Sequence, residues 1–269
     1  MPEGDTVWRA CKRLDQALGG QELTRTDFRV PSLATTDLSG QSMLKVVAKG
    51  KHLLMRLSNG VTIHSHFRMD GSWHLYRPGE SWKGGPDYQV RAVLETAGWV
   101  AVGYRLPVLE LVATKAEDTV VGHLGPDLLS PDFDRSLALA NLAAEPERTI
   151  SEALLDQRNL AGIGNFYRVE VCFLLGIHPW RPVASVDLPA VVDLSRRLMK
   201  SNLRHAAQVT TGVDRPGQRS YVFERAGKPC RRCKTKIRTA QIGEPPRDRV
   251  SFWCPACQPE DRNSPVDSR

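Results

Sequence analysis

Cys230-Arg231-Arg232-Cys233, twenty intervening residues, then Cys254-Pro255-Ala256-Cys257: the C-terminal part of the chain carries two Cys-x2-Cys knuckles joined by a loop. Such a pair supplies four thiolates to one tetrahedral zinc. Four thiolates leave no open coordination position, so the ion this spacing calls for is structural and does not activate water. The opposite end, Met1-Pro2-Glu3-Gly4-Asp5, is the second informative stretch. Removal of Met1 would leave a secondary amine on a small ring, and such an amine can act as a catalyst.

With 269 residues the chain can bury a full core and has room for two domains or a domain plus a module. Its 37 Lys and Arg against 30 Asp and Glu give a formal net charge of +7. That surplus suits an anionic partner, since cations set against phosphates release condensed counterions, and suits plain solubility equally well. No apolar run approaches the ~20 residues of a membrane span, and the N-terminus lacks a secretory apolar core. The expected location is therefore cytoplasmic, nucleoid-associated in a bacterium. The remaining two of the six cysteines, Cys11 and Cys172, fall in helical patterns, as buried free thiols of a reducing compartment do.

Asp5 can cap a helix whose Val7, Cys11, Leu14 and Leu18 follow helical spacing and which Gly19-Gly20 would end. From Gln21 to Ala113 strand patterns follow: Leu53 to Leu57, the Asn59-Gly60 hairpin signal, Val61 to His64, Gln89 to Leu94 and Trp99 to Val102. The expected product is a β-sandwich with an N-terminal helix. Helical composition returns over Ser136 to Ala144, Ile150 to Gln157, Asn165 to Leu175 and Leu188 to His205. The whole reads as a multidomain α+β chain: a sandwich over 1–121, a Gly- and Pro-rich linker over 122–134, a helical domain over 135–220, a zinc finger over 221–258 and a disordered tail over 259–269. Val209 to Gly227, rich in Thr, Gly and Arg, reads as a flexible loop entering the finger.

Within the helical domain, Leu154 to Arg168 places glycines 162 and 164 in a turn between two helices, with Asn165 where it would cap the second. Amides at such a helix start bind phosphate, and Arg158 and Arg168 could add charge; an ordinary helical hairpin has the same spacing.

Together with Gly50-Lys51, His66-x2-Met69-x-Gly71, Gly125-Pro126-Asp127 and Gly176-Ile177-His178-Pro179, these stretches resemble the formamidopyrimidine-DNA glycosylase and endonuclease VIII family from Pro2 to Cys257. The resemblance implies a DNA-repair enzyme whose β-sandwich, helix-two-turn-helix domain and zinc finger clasp duplex DNA holding oxidised bases or abasic sites. A monomer suffices for this.

Base removal followed by strand cleavage proceeds through an imine, because an amine attacking the sugar C1′ creates an electron sink for elimination. An α-amino group titrates about two units below lysine, so part of it is neutral at pH 7. The resemblance gives that nucleophilic role to Pro2, which by itself could simply start a helix. Glu3 beside it can pass protons, although an acid there also suits the helix dipole. Lys51 matches the family's hairpin lysine, placed to contact phosphate and donate a proton; Lys49 looks like a neighbour without a chemical role. Met69 aligns with the wedge that fills the gap left by an everted base, where a sandwich-core residue is the other reading. Asn165 and Arg249 correspond to phosphate-holding positions, and Arg suits phosphate through its fork.

Gly4 and the absence of Arg-Arg-Phe-Gly from Gly103 to Val108 favour the endonuclease VIII branch and oxidised pyrimidines; Met69 favours the formamidopyrimidine branch and purine lesions. Many members carry a second glutamate where Thr6 stands, and Asp5 could partly replace it. An inactive protein that binds damaged DNA is a rival reading, against which Pro2, Glu3 and Lys51 argue. An RNA-binding zinc ribbon would leave the N-terminal motif unexplained.

Overall fold

A computed structural model of the chain describes residues 2–245 and 248–260, in two units divided between His123 and Leu124. Met1, and residues 261–269 of the expected disordered tail, lie outside the described residues.

The first unit opens with α1 (Gly4–Leu18), whose Val7, Cys11, Leu14 and Leu18 are buried as their helical spacing demands. Eight strands follow: β1 (Arg25–Phe28), β2 (Met43–Lys49), β3 (His52–Leu57), β4 (Val61–His66), β5 (Ser72–Tyr76), β6 (Val90–Glu95), β7 (Val100–Tyr104) and β8 (Val108–Ala113). They pair antiparallel in two four-stranded sheets ordered β1-β6-β7-β5 and β2-β3-β4-β8. Leu53, Met55 and Ile63 from one sheet and Ala92, Leu94 and Ala101 from the other share a core with the apolar face of α1. Each Leu or Ile buried there contributes about 1.5–3 kcal/mol. The short α2 (Asp118–Val121) closes this unit. Just before it, Glu117 accepts from the Arg56 guanidinium at 2.8 and 2.7 Å and from the Thr62 hydroxyl at 2.7 Å.

Asp5 does not cap α1. It lies inside the first turn, fully buried, and its carboxylate accepts from Arg9 one turn on at 2.9 Å. Glu3 holds the N-cap position with no side-chain cap bond.

The second unit carries α3 (Arg135–Ala143), α4 (Ile150–Leu155), α5 (Asn165–Leu174), α6 (Leu188–Asn202) and a hairpin of β9 (Arg238–Ile242) with β10 (Arg249–Trp253). Helices α3 to α6 end one to three residues short of the sequence expectation. Residues 124–134, read as a linker, pack into this unit: Leu128 is fully buried, Gly125 N–H donates to Gln157 O at 2.9 Å, and Pro126 O accepts from Ala161 N–H at 3.0 Å. A Cβ at position 125 would stand 2.2 Å from Arg158 O, which is why glycine occupies it. The stretch Val209–Gly227 is not a free loop either. The Glu170 carboxylate, fully buried on α5, accepts from the backbone N–H groups of Tyr221, Val222 and Phe223 at 2.8–2.9 Å and from the Thr210 hydroxyl. Gln258, the last residue of the expected finger, is fully buried: its Oε1 accepts from Cys254 N–H at 2.9 Å and its Nε2 donates to Ile177 O at 2.8 Å.

Candidate functional site

In the first unit, Pro2 is half-buried at the amino end of α1, and Glu3 has no exposed surface. The Glu3 carbonyl accepts from the N–H groups of Thr6 and Val7 at 3.0 and 3.1 Å, so the first helical turn fixes both residues at its positive end. Thr6 Oγ1 accepts from Arg9 at 3.2 Å, and Arg9 also binds Asp5; the acid next to the missing second glutamate is thus held within its own helix.

Lys51 sits, half-buried, on the turn between β2 and β3, closed by the Lys49–His52 pair. Gly50 has φ +57 in that turn, a backbone state glycine adopts without strain. Beyond Lys51 the outward face of the sheet carries a chain of rings. His52 Nδ1 and His64 Nε2 are 2.8 Å apart, and His64 Nδ1 is 2.8 Å from Glu110 Oε1. With Glu110 ionised, His64 donates from Nδ1, and its Nε2 accepts from His52. His66 and His123 stand edge-on to His52, at ring-centre distances of 4.8 and 5.9 Å. Burial first, then the positive charge of neighbouring His and Lys51, pulls His52 down to about 3; burial, then Lys51 and Arg68, pulls His66 down to about 4. Both rings are neutral at pH 7.

Met69 is 62% exposed at the tip of the β4–β5 turn, which excludes the core reading. Arg68 before it has φ +46, and its N–H donates to His66 Nδ1 at 2.9 Å. Gly71 is required where it stands, because a Cβ there would meet Phe67 O at 2.7 Å.

In the second unit the turn from α4 to α5 is braced by Gln157, whose Oε1 accepts from Gly162 N–H at 3.1 Å and whose Nε2 donates to Ile163 O at 2.9 Å. Asn165 is the first residue of α5 and does not cap it; Gly164 holds the N-cap position. The Asn165 side chain is 8% exposed, donates from Nδ2 to Val250 O at 2.9 Å and accepts from Arg168 at Oδ1. One amide hydrogen of Nδ2 remains beyond that bond. Arg168, expected to add charge near this helix start, is fully buried and also donates to Val250 O and Ser251 Oγ at 3.2 and 3.3 Å. Arg158 pairs with Asp156 at 2.6 Å, which holds that carboxyl far below its ordinary range. Arg249 begins β10, exposed, one residue before the carbonyl that Asn165 grips. Sequence reading missed the positioning work of Gln157, Arg168 and Glu170. The available signal was the helical i, i+3 spacing of Asn165 and Arg168, which stacks them on one face.

The sulfur atoms of Cys230, Cys233, Cys254 and Cys257 all lie within 4.8 Å of one another, with close pairs of 3.3, 3.5 and 3.9 Å. Zn–S bonds of 2.3 Å in a tetrahedron put sulfurs about 3.8 Å apart, so these residues fit a metal ion. Cys11 and Cys172 are buried free thiols, and burial raises both.

An N-terminal helix on an antiparallel sandwich, a braced two-turn helical hairpin and a four-thiolate finger define the helix-two-turn-helix class of DNA glycosylase architecture. Residues 1–104 match the formamidopyrimidine-DNA glycosylase N-terminal domain, and residues 124–214 match the formamidopyrimidine-DNA glycosylase H2TH domain. Across 96% of its length the chain is 54% identical to the "Probable endonuclease 8 2" of Streptomyces coelicolor, covering 94% of that protein. It is 45% identical to a DNA-(apurinic or apyrimidinic site) lyase of Mycolicibacterium smegmatis and 30% identical to an endonuclease 8 of Escherichia coli, covering 99% and 100% of them. A Lactococcus lactis formamidopyrimidine-DNA glycosylase bound to abasic-site DNA shares the fold with a TM-score of 0.78 at 20% identity, over 96% of this chain and 100% of that one. The chain belongs to the formamidopyrimidine-DNA glycosylase family, among relatives named endonuclease 8.

Proposed function

We propose that this protein is a bifunctional DNA glycosylase and abasic-site lyase of base excision repair, acting in the cytoplasm on duplex DNA that carries oxidised pyrimidines. The relatives' names support the activity and the branch. The observation that carries the chemical reading is Glu3: a carboxyl group with no exposed surface stands at the amino end of the chain, where a solvated acid would serve the helix dipole equally well.

In the proposed reaction the Pro2 nitrogen attacks C1′ of the damaged nucleotide, and the base leaves with a proton from Lys51 or Glu3. The Pro2 nitrogen gives up its proton, Glu3 passes one to O4′ as the C1′–O4′ bond of the sugar breaks, and the resulting ring-opened iminium acidifies C2′. Loss of a C2′ proton expels the 3′ phosphate, and a second elimination expels the 5′ phosphate, leaving phosphates on both sides of a gap. Met69 fills the space of the everted nucleotide. Arg249, and the remaining amide hydrogen of Asn165, hold backbone phosphates. One structural zinc on Cys230, Cys233, Cys254 and Cys257 shapes the finger. Met69 also suits the purine-lesion branch, and a lesion panel separates the two.

The decisive experiment is borohydride trapping on a duplex with one abasic site. A covalent protein–DNA band that disappears when the amino terminus is blocked, by acetylation of Pro2 or by a retained formyl-Met1, is expected. Tight binding with no band would leave a damage-binding protein without lyase chemistry.

A further inference from the structure

The turn that presents Met69 is fastened at three points. Gly71 N–H donates to Phe67 O at 2.8 Å, Arg68 N–H donates to His66 Nδ1 at 2.9 Å, and Arg105 Nε donates to the carbonyl of Asp70 at 3.1 Å. The third comes from a different part of the fold, the turn after β7. Arg105 N–H donates to Gln89 O at 2.8 Å, and the guanidinium also binds Gln89 Oε1. One side chain thus spans the turn before Gly71 and the turn before β6.

Arg105 has φ +47, a left-handed backbone that costs a side chain roughly 1–2 kcal/mol and that glycine adopts without strain. An arginine kept in such a position must return that cost through its contacts. Among the described residues its side-chain partners are neutral oxygens on two turns, so the guanidinium fixes geometry here. An exposed wedge held in its inserting shape loses less conformational entropy on entering the duplex than one that must be ordered there.

We propose that Arg105 is a positioning residue for the Met69 wedge, holding the turn in the shape that enters the base stack. This rests on the reading of Met69 as the wedge. Arg105 acts through the Asp70 carbonyl, and it governs insertion without touching the imine chemistry.

The test uses the full chain and two DNA duplexes. In one, a tetrahydrofuran abasic analogue faces 2-aminopurine, whose stopped-flow fluorescence rise reports insertion without chemistry. The other has a natural abasic site for borohydride trapping. In Arg105→Ala insertion should slow about tenfold, the scale of one charge-assisted hydrogen bond, while trapping at saturating protein stays within twofold of wild type. Arg105→Lys, which can reach one of the two oxygens, should fall between. If Met69→Ala abolishes the insertion signal and Arg105→Ala inserts at the wild-type rate, the positioning role is overturned and the wedge reading stands. A wild-type signal in Met69→Ala sinks the wedge reading itself. Equal loss of insertion and trapping in Arg105→Ala would mark general damage to the fold and also overturn the proposal.

Discussion

The Asn165 amide on α5 donates to the carbonyl oxygen of Val250 on β10 at 2.9 Å, and Arg168, one turn further along α5, donates to both. Start of helix and start of finger strand are therefore one hydrogen-bonded piece, with Arg249 next to the bonded carbonyl. Arg168 is fully buried, so Arg168→Met removes the shared donor and leaves Asn165 Oδ1 short of a partner. The expected cost is about 2–3 kcal/mol of unfolding free energy, read as a lower denaturation midpoint by circular dichroism. Duplex affinity should fall with it. An unchanged midpoint would mean that the network does not hold the hairpin.

Glu170 organises 220–223 through three backbone N–H groups and the Thr210 hydroxyl. Glu170→Gln would turn an –NH2 group toward donors that need an acceptor. A loss of about 2–3 kcal/mol is expected, with faster amide exchange at Val222 and Phe223 by hydrogen–deuterium mass spectrometry. Unaltered exchange would show that the segment is held by its apolar contacts alone.

How far the chain could be read in advance depended on how local each cause was. Helix α1 and strands β3, β4, β6 and β7 carry their own periodicity, and the Cys-x2-Cys pairs carry metal spacing, so these were legible. Strands β1, β5 and β8 are short or only partly buried, and their pairing partners lie far along the chain. The segment 209–227 looked unstructured because the group that orders it, Glu170, comes from a helix some forty residues earlier, and Thr210 is 40 positions from it. The candidate residues Pro2, Lys51 and Met69 were found by motif. Of the supports around Met69, His66 is local and stood in the same motif, whereas Arg105, 35 positions from Asp70, is tertiary and left no mark in local sequence.

The finger geometry leads to a metal prediction. Purified protein should hold about one zinc per chain by atomic absorption, as four-thiolate sites do. Cys254 is buried and Cys233 exposed. Cys254→Ser, which leaves a weaker ligand inside the site, should take zinc below half occupancy and abolish tight duplex binding. Full zinc content in that variant would move the ion elsewhere.

The histidines on the outer face of the first unit set a pH dependence whose sign can be worked out. Their ordinary value of 6.5 applies to the unfolded chain, whereas burial holds His52 at about 3 and His66 at about 4 in the folded one. Between those limits the unfolded state binds more protons, so stability is complete above about pH 6.5 and declines as pH falls toward 4. The slope is at most about 1.4 kcal/mol per pH unit for each ring. Protonated His66 would also lose the lone pair that accepts from Arg68 N–H, which loosens the Met69 turn. His66→Asn should therefore flatten the decline in thermal midpoint between pH 6.5 and 5 relative to wild type. A variant whose midpoint falls as steeply as wild type would show that the acid sensitivity arises elsewhere in the chain.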